Sequence, residues 1–218
     1  LGRAAQDYLG KVPPACKVLA GPLHALLRPE FAALRSASLV RRAEPRLRHL
    51  LITMGGVDRD DATGQVLDAL AGSPLPADAS ITVVMGARAP WTDRVRERAR
   101  ALGWQCSVEV DVRDMAALMA RSDLAIGAAG SSAWERCCLG LPTLMMVLAD
   151  NQRAAAAHLE QAGAAVSLPL SADLAARLQH WLGTFVDDPA SMARMSRSAA
   201  AVTDGLGTQR VLAALLDS

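Results

Sequence analysis

Residues 122–152 read SDLAIGAAGSSAWERCCLGLPTLMMVLADNQ, and their order of apolar and turn-forming residues decides the fold. Leu124 to Ile126 is a short apolar run of strand type, closed by Gly127 and Gly130. Ser131 and Ser132 open a helical segment, Trp134 to Leu139, which Leu141-Pro142 stops; Thr143 to Leu148 is a second apolar strand leading to Asp150-Asn151-Gln152. Strand, glycine turn, helix and strand, with polar groups only at the turns, is the grammar of a parallel α/β sheet. Ligands of such sheets bind at the carboxyl ends of the strands. Free backbone N–H groups at a helix start, with the positive end of its dipole, favour an anion there. The physical reading is a phosphate or nucleotide site.

The pattern continues outward. Strands are expected at Leu50–Met54, Ile81–Met85, Cys106–Val110 and Ala165–Leu168. Helices are expected at Ala62–Ala71, Trp91–Leu102, Met115–Ser122, Gln152–Ala162, Leu174–Val186, Pro189–Val202 and Thr208–Leu216. Strands that are apolar almost throughout belong to a sheet covered on both faces, so the expected architecture is Rossmann-like. Residues 1–46 read differently: a strand at Lys17–Ala20, a turn at Gly21-Pro22, a short helix at Phe31–Val40 and a connector at Arg41–Arg48. They look like the end of another unit, and the chain opens at Leu1 rather than Met, which suggests a portion of a longer protein. The expected division is 1–46 as the end of an N-terminal domain and linker, 47–204 as the ligand-binding domain, and 205–218 as a helix packing back toward the N-terminal side.

Composition narrows the function. With 51% hydrophobic and 21% charged residues the chain is globular, and no apolar run approaches the roughly 20 residues of a membrane span. No secretory signal opens the chain. Cys16, Cys106, Cys137 and Cys138 lack metal-ligand spacing and read as free thiols of a reducing, cytoplasmic protein; no metal and no cofactor are expected. Residues 1–50 carry nine basic against three acidic side chains, while the remainder is net acidic. Tyr8 and Phe31 are the only aromatics of the basic part and no nucleic-acid motif accompanies them, so a linker or a basic rim around an anionic ligand is the better reading. A monomer is expected.

Motifs exclude several chemistries. G-x-G-x-x-G is missing from the first strand–helix turn, and no P-loop and no G-x-S-x-G elbow occurs. The glycines at 55, 56, 86, 127 and 130 follow expected strands, either because tight turns need them or because the turns form a ligand rim. Ser132 and Glu135 have capping-box spacing, which alone explains both; the alternative is a phosphate at the helix start with Glu135 accepting from ribose hydroxyls. Asp150-Asn151-Gln152 reads as a turn with an N-cap, or as hydrogen-bonding groups for a polyhydroxylated substrate. His24, His49, His158 and His180 lie outside the strand-end turns and read as structural or exposed.

Four segments then carry a resemblance: LITMGGVD at 51–58, GPLHALLRPEF at 21–31, GSSAWERCCLGLP at 130–142 and ADNQ at 149–152. Together they resemble the UDP-2,4-diacetamido-2,4,6-trideoxy-β-L-altropyranose hydrolase family of pseudaminic acid biosynthesis, associated with flagellin glycosylation. More distantly the chain is similar to the GT-B glycosyltransferase that adds N-acetylglucosamine to lipid I. The resemblance implies the C-terminal half of a GT-B fold, a UDP-sugar substrate, and metal-free hydrolysis of the glycosidic C–O bond with inversion. It implies that Val112 to Met115 lie near uracil, that Gly130, Ser131 and Ser132 hold the diphosphate, and that Glu135 takes the ribose. Gly55, Gly56, Asp150 and Gln152 would face the diphosphate or sugar, and Asn151 would help place the water or sugar. The family's general-base histidine belongs to a glycine-rich N-terminal loop with no counterpart in this sequence, and His24 stands where the family usually has tyrosine. Ser132-Ala133 replaces the more usual threonine pair. By resemblance, a GT-B glycosyltransferase or a non-catalytic nucleotide-sugar-binding module differs from the hydrolase mainly in what that N-terminal part supplies.

Overall fold

A computed structural model describes residues 4–216. Its centre is a six-stranded sheet, all neighbours parallel, formed by β1 (His49–Thr53), β2 (Ser80–Met85), β3 (Gln105–Val110), β4 (Leu124–Ala128), β5 (Thr143–Met146) and β6 (Val166–Leu168). The spatial order is β3-β2-β1-β4-β5-β6, the doubly wound order in which the chain reverses direction between β1 and β4. Nine helices are described: α1 (Pro29–Arg42), α2 (Ala62–Leu70), α3 (Thr92–Ala101), α4 (Met115–Arg121), α5 (Ser132–Cys138), α6 (Arg153–Gln161), α7 (Leu174–Asp187), α8 (Pro189–Val202) and α9 (Gly207–Leu216).

Alternation along each central strand divides the side chains between two cores. Leu50, Ile52, Leu124, Ile126, Leu144 and Met146 enter the face covered by α2, α3 and α7. Leu51, Ala125 and Met145 enter the opposite face with Phe31 of α1, Met119 of α4, Trp134 of α5 and Leu159 of α6. Each fully buried aliphatic contributes roughly 1.5–3 kcal/mol, and both faces of β1, β4 and β5 are filled in this way.

The helix α1 is wider than the expected Phe31–Val40, and it is part of this packing rather than a free connector. Phe31, Arg35, Ser38 and Arg42 fall on one stripe of the helix. Phe31 is fully buried. Arg35 donates to the carbonyls of Cys138, Ala200 and Thr203, while Arg42 donates to those of Met119, Ser122 and Leu139. Those six carbonyls are the orphan acceptors at the carboxyl ends of α4, α5 and α8, so two arginines cap three helices. Asp123 stitches the other side: its carboxylate accepts from the backbone N–H of Arg48 and His49 and pairs with Arg41 at 2.6 Å.

The strand expected at Lys17–Ala20 does not form. The segment joins no ladder; instead Gly21, at φ +90°, turns it into a single helical turn at Pro22–His24, and the His24 ring bonds the Ala20 carbonyl. α9 returns to this turn, with Thr208 donating to the Leu27 carbonyl and Arg210 to that of Leu23. No described helix is long and apolar enough to cross a membrane.

Candidate functional site

The carboxyl ends of β1, β4 and β5 open into a cleft of about 290 Å³ at the point where strand order reverses. Its walls are Met54 to Asp60 after β1, Ala128 and Gly130 to Ser132 after β4, and Leu148 with Gln152 after β5. A larger hollow of about 550 Å³ lies between Ala20–His24 and the outer ends of α6 and α8. It is mostly apolar and no strand-end turn faces it.

Glycine makes the cleft's geometry possible. Gly55 sits at φ +91°, which L side chains adopt with strain. A Cβ on Gly86 would stand 2.0 Å from the Gly56 carbonyl oxygen, so the turn after β2 touches the turn after β1 backbone to backbone. A Cβ on Gly127 would press on the Arg136 guanidinium at 2.8 Å and on the Thr53 carbonyl at 2.9 Å. Gly56 and Gly130 face open space or, at 3.8 Å, the Gln152 amide nitrogen.

The two helix starts beside the cleft differ. At α2 the buried Asp58 carboxylate accepts from the N–H groups of Ala62 and Thr63, and Asp61 accepts from Gly64. Those donors are taken. At α5 neither serine caps: Ser131 is the N-cap residue without a side-chain cap bond, and the Ser132 hydroxyl oxygen accepts from Arg136 at 3.2 Å. Glu135 does not reach back to the helix start but faces Arg28 at 4.0 Å. The capping box allowed by the spacing is therefore not formed. Its physical reason is the competing partners, Arg136 for the hydroxyl and Arg28 for the carboxylate.

Of the residues singled out from sequence, Gly55, Gly56, Gly130, Ser131, Ser132 and Gln152 come together in the cleft. Gln152 braces it, its side-chain oxygen accepting from Leu148 N–H at 2.9 Å. Val112 and Met115 lie at the β3–α4 corner, half-buried against the core that holds Trp134. Glu135 stands one turn into α5 between these groups, and burial raises its pKa while Arg28 and Arg136 oppose the rise. Asp150 and Asn151 are exposed on the turn before α6, and Asp150 pairs with Arg153 at 2.9 Å. Neither lines the cleft. Nor does any histidine among the described residues, and no described group of three His, Cys, Asp or Glu side chains could hold a metal ion.

Sequence reasoning missed Asp58, Arg59 and Asp60 as wall residues. The acids of D-R-D-D before a helix are an N-cap signal that could have located Asp58. It also missed Arg136, which is wholly buried beneath the Gly130–Ser132 turn. A charged residue on a helix gives no sign in the sequence that it points inward.

Comparison with known proteins agrees with this architecture. The chain is 29% identical over 214 residues to the spore coat polysaccharide biosynthesis protein SpsG of Bacillus subtilis, covering 92% of this chain and 58% of that protein. It is 31% identical over 196 residues to the UDP-N-acetylglucosamine--N-acetylmuramyl-(pentapeptide) pyrophosphoryl-undecaprenol N-acetylglucosamine transferase of Xanthomonas campestris, covering 85% of this chain and 44% of the transferase. The chain thus spans about half the length of these relatives. Among solved structures, MurG of Acinetobacter baumannii superposes with a TM-score of 0.69 at 19% identity, over 95% of this chain and 58% of that one. The UDP-GlcNAc 2-epimerase of Neisseria meningitidis bound to UDP-GlcNAc superposes at 0.63 and 14% identity, over 98% and 58%. The fold is that of the C-terminal Rossmann-like domain of GT-B enzymes. The glycosyltransferase family 28 C-terminal domain model matches residues 49–210, from the first strand to α9, and the chain belongs to that family.

Proposed function

We propose that this chain is the nucleotide-sugar-binding half of a GT-B glycosyltransferase that uses a UDP-sugar donor. The observation that carries the reading is the cleft between the Gly55-Gly56 and Gly130-Ser131-Ser132 turns in a member of this family. In this reading the diphosphate lies against Gly130, Ser131 and Ser132, where a Cβ on Gly130 would meet only the Gln152 amide nitrogen, at 3.8 Å. The half-buried Glu135 accepts from the ribose diol, and uracil rests on the apolar corner at Val112 and Met115. Gly55, Gly56 and Gln152 face the diphosphate or the sugar, while Asp150 and Asn151 reach a bound sugar from the exposed turn beside the cleft.

The chemistry follows from the leaving group. An acceptor hydroxyl attacks the anomeric carbon, the C–O bond to the β-phosphate breaks, and the departing UDP carries the electron pair. Donors aimed at that developing charge lower the barrier. In a GT-B enzyme the attacking group's base need not come from this cleft, and no histidine of the described residues lines it. We infer further that the protein works as a cytoplasmic monomer without a metal or cofactor; light scattering on the purified chain tests the monomer.

A second reading replaces the acceptor with water. It is favoured by the W-E-R-C-C-L-G-L-P segment at 134–142 and A-D-N-Q at 149–152, which resemble the pseudaminic acid pathway hydrolases. Calorimetric titration with UDP tests the ground common to both: micromolar to millimolar binding that weakens in Glu135→Ala supports it, and absence of heat for UDP and UDP-GlcNAc sinks it. Release of UDP from a UDP-sugar without any acceptor favours hydrolysis; release only with acceptor favours transfer.

A further inference from the structure

Among the arginines that bond the interior backbone, Arg136 is the most buried and the least satisfied. Arg35 and Arg42 each donate to three backbone carbonyls. Arg136 is 1% exposed and makes two bonds: Nη2 to the Ala128 carbonyl at 2.7 Å and Nη1 to the Ser132 hydroxyl at 3.2 Å. Its Nε is buried without a partner. No carboxylate of the described residues lies within 4.0 Å of its guanidinium, Glu135 pairing with Arg28 instead. Burial lowers its pKa to about 10, which leaves it charged at neutral pH. An unpaired buried charge is costly unless something compensates it. Both residues it touches, Ala128 and Ser132, are walls of the cleft, and the missing side chain at Gly127 is what makes room for it.

We propose that Arg136 is the buried counter-charge of the anion held in this cleft and that it orients the Ser132 hydroxyl as a donor toward that anion. The inference rests on the nucleotide-sugar reading and deepens it. Because the Ser132 oxygen accepts from the guanidinium, its own proton is turned away from Arg136, and the open side is the cleft. The positive field behind the turn is worth more there than at the surface, since little water screens it. Arg136 touches no ligand in this scheme; it is a positioning residue that makes the cleft read phosphorylation rather than the nucleoside.

The test compares UDP, uridine and inorganic pyrophosphate on the whole chain by calorimetry and ligand-observed NMR. Arg136→Met keeps the volume and removes the charge. It should weaken UDP and pyrophosphate by roughly tenfold or more, the usual weight of a charge-assisted contact, and leave uridine within about twofold. Arg136→Lys should restore part of the anion affinity. Should Arg136→Met fail to fold, Ser132→Ala decides: it should lose UDP and pyrophosphate affinity and keep uridine. Unchanged UDP binding in Arg136→Met, or equal loss of UDP and uridine, overturns the inference, the second because a merely structural pin affects all ligands alike. Wild-type protein that binds pyrophosphate but not UDP refutes the nucleotide reading and spares this one; binding of neither refutes both.

Discussion

Replacing Gly86 by alanine tests whether the turn after β1 is held where the cleft needs it. The added Cβ would stand 2.0 Å from the Gly56 carbonyl oxygen, 2.5 Å from its carbonyl carbon and 2.7 Å from its Cα. All three are backbone atoms, so no flexible side chain can swing aside. Ordinary contact begins near 3.4 Å, so the Gly55-Gly56 turn must retreat by about 1.4 Å from β2 or β2 must deform. Overpacking of this kind costs roughly 1–3 kcal/mol, and in a chain of this size each kcal/mol shifts the melting point by about 2–4 °C. The expected fall is therefore about 2–12 °C. Gly56 is a wall of the cleft, so UDP affinity should drop by about tenfold beyond the loss of stability, a displacement of an ångström being enough to spoil a positioned contact. Gly103→Ala is the control, since its Cβ meets nothing within 4 Å. Calorimetric melting and UDP titration of the three proteins read both effects. A Gly86→Ala protein that melts and binds like wild type would refute the contact between the two turns. One that melts lower yet binds UDP unchanged would refute the part assigned to the Gly56 turn.

Three other outcomes are expected. Burial raises the Glu135 pKa, so its contribution to stability is fully present below the unfolded glutamate value of about 4.3 and is lost as pH rises through the folded value; Glu135→Gln should gain on wild type in melting point as pH rises above about 4.3 while binding UDP more weakly, and a gap that stays constant with pH contradicts this. Arg42→Met removes three hydrogen bonds and strands the Met119 carbonyl, while Ser38 still donates to Leu139 and Arg41 to Ser122, so urea unfolding should show a loss of about 2 kcal/mol or more, and a loss under about 1 kcal/mol counts against the capping role of α1. Burial pushes the Cys137 thiol up to about 12 while Cys16 is exposed, so a thiol reagent at neutral pH should label Cys16 quickly and Cys137 only after denaturation, as mass spectrometry of the labelled peptides can check.

How much of this was legible in the sequence depends on which physical signal each element carries. The strands β1, β2, β4 and β5 were legible because a sheet covered on both faces demands apolar runs, while the edge strand β3 alternates Gln105, Ser107 and Glu109 with apolar residues; all six fall within about two residues of the expected bounds. The glycines closing β1 and β4 marked strand-end turns, but the strand order that puts the switch point between them is set by pairing no local pattern reveals. α1 was not legible as part of the packing. Arg42 reads as part of a connector and Arg35 and Ser38 as ordinary residues of a short helix, whereas all three meet the carbonyl ends of other helices that no local pattern can indicate. Lys17–Ala20 has strand composition but pairs with no strand, and composition without a ladder makes no strand. Ser132 and Glu135 matched a capping box in spacing; two arginines took both groups, Arg28 from the distant segment before α1 and Arg136 from one turn along the same helix.

The same local grammar also produced two opposite electrostatic environments. Both α2 and α5 follow a strand and a glycine turn, and either helix start could in principle draw an anion. At α2 the carboxylates of Asp58 and Asp61 occupy the backbone donors, and Asp60 adds a further negative charge to that wall. At α5 no carboxylate caps the start, and the buried Arg136 lies behind it. In the proposed reading a diphosphate is drawn to the β4 side, backed by Arg136 with no carboxylate cap, while the β1 side sets Asp58 and Asp60 beside Arg59 and pairs Asp61 with Arg98. Hydroxyl groups suit the acidic wall, because carboxylates accept hydrogen bonds that a phosphate cannot donate. In the proposed reading a nucleotide-sugar lies along one direction, with phosphates toward Gly130–Ser132 and sugar hydroxyls toward Gly55–Asp60. The β4 side of that asymmetry rests on the buried Arg136, whose inward position the sequence does not announce.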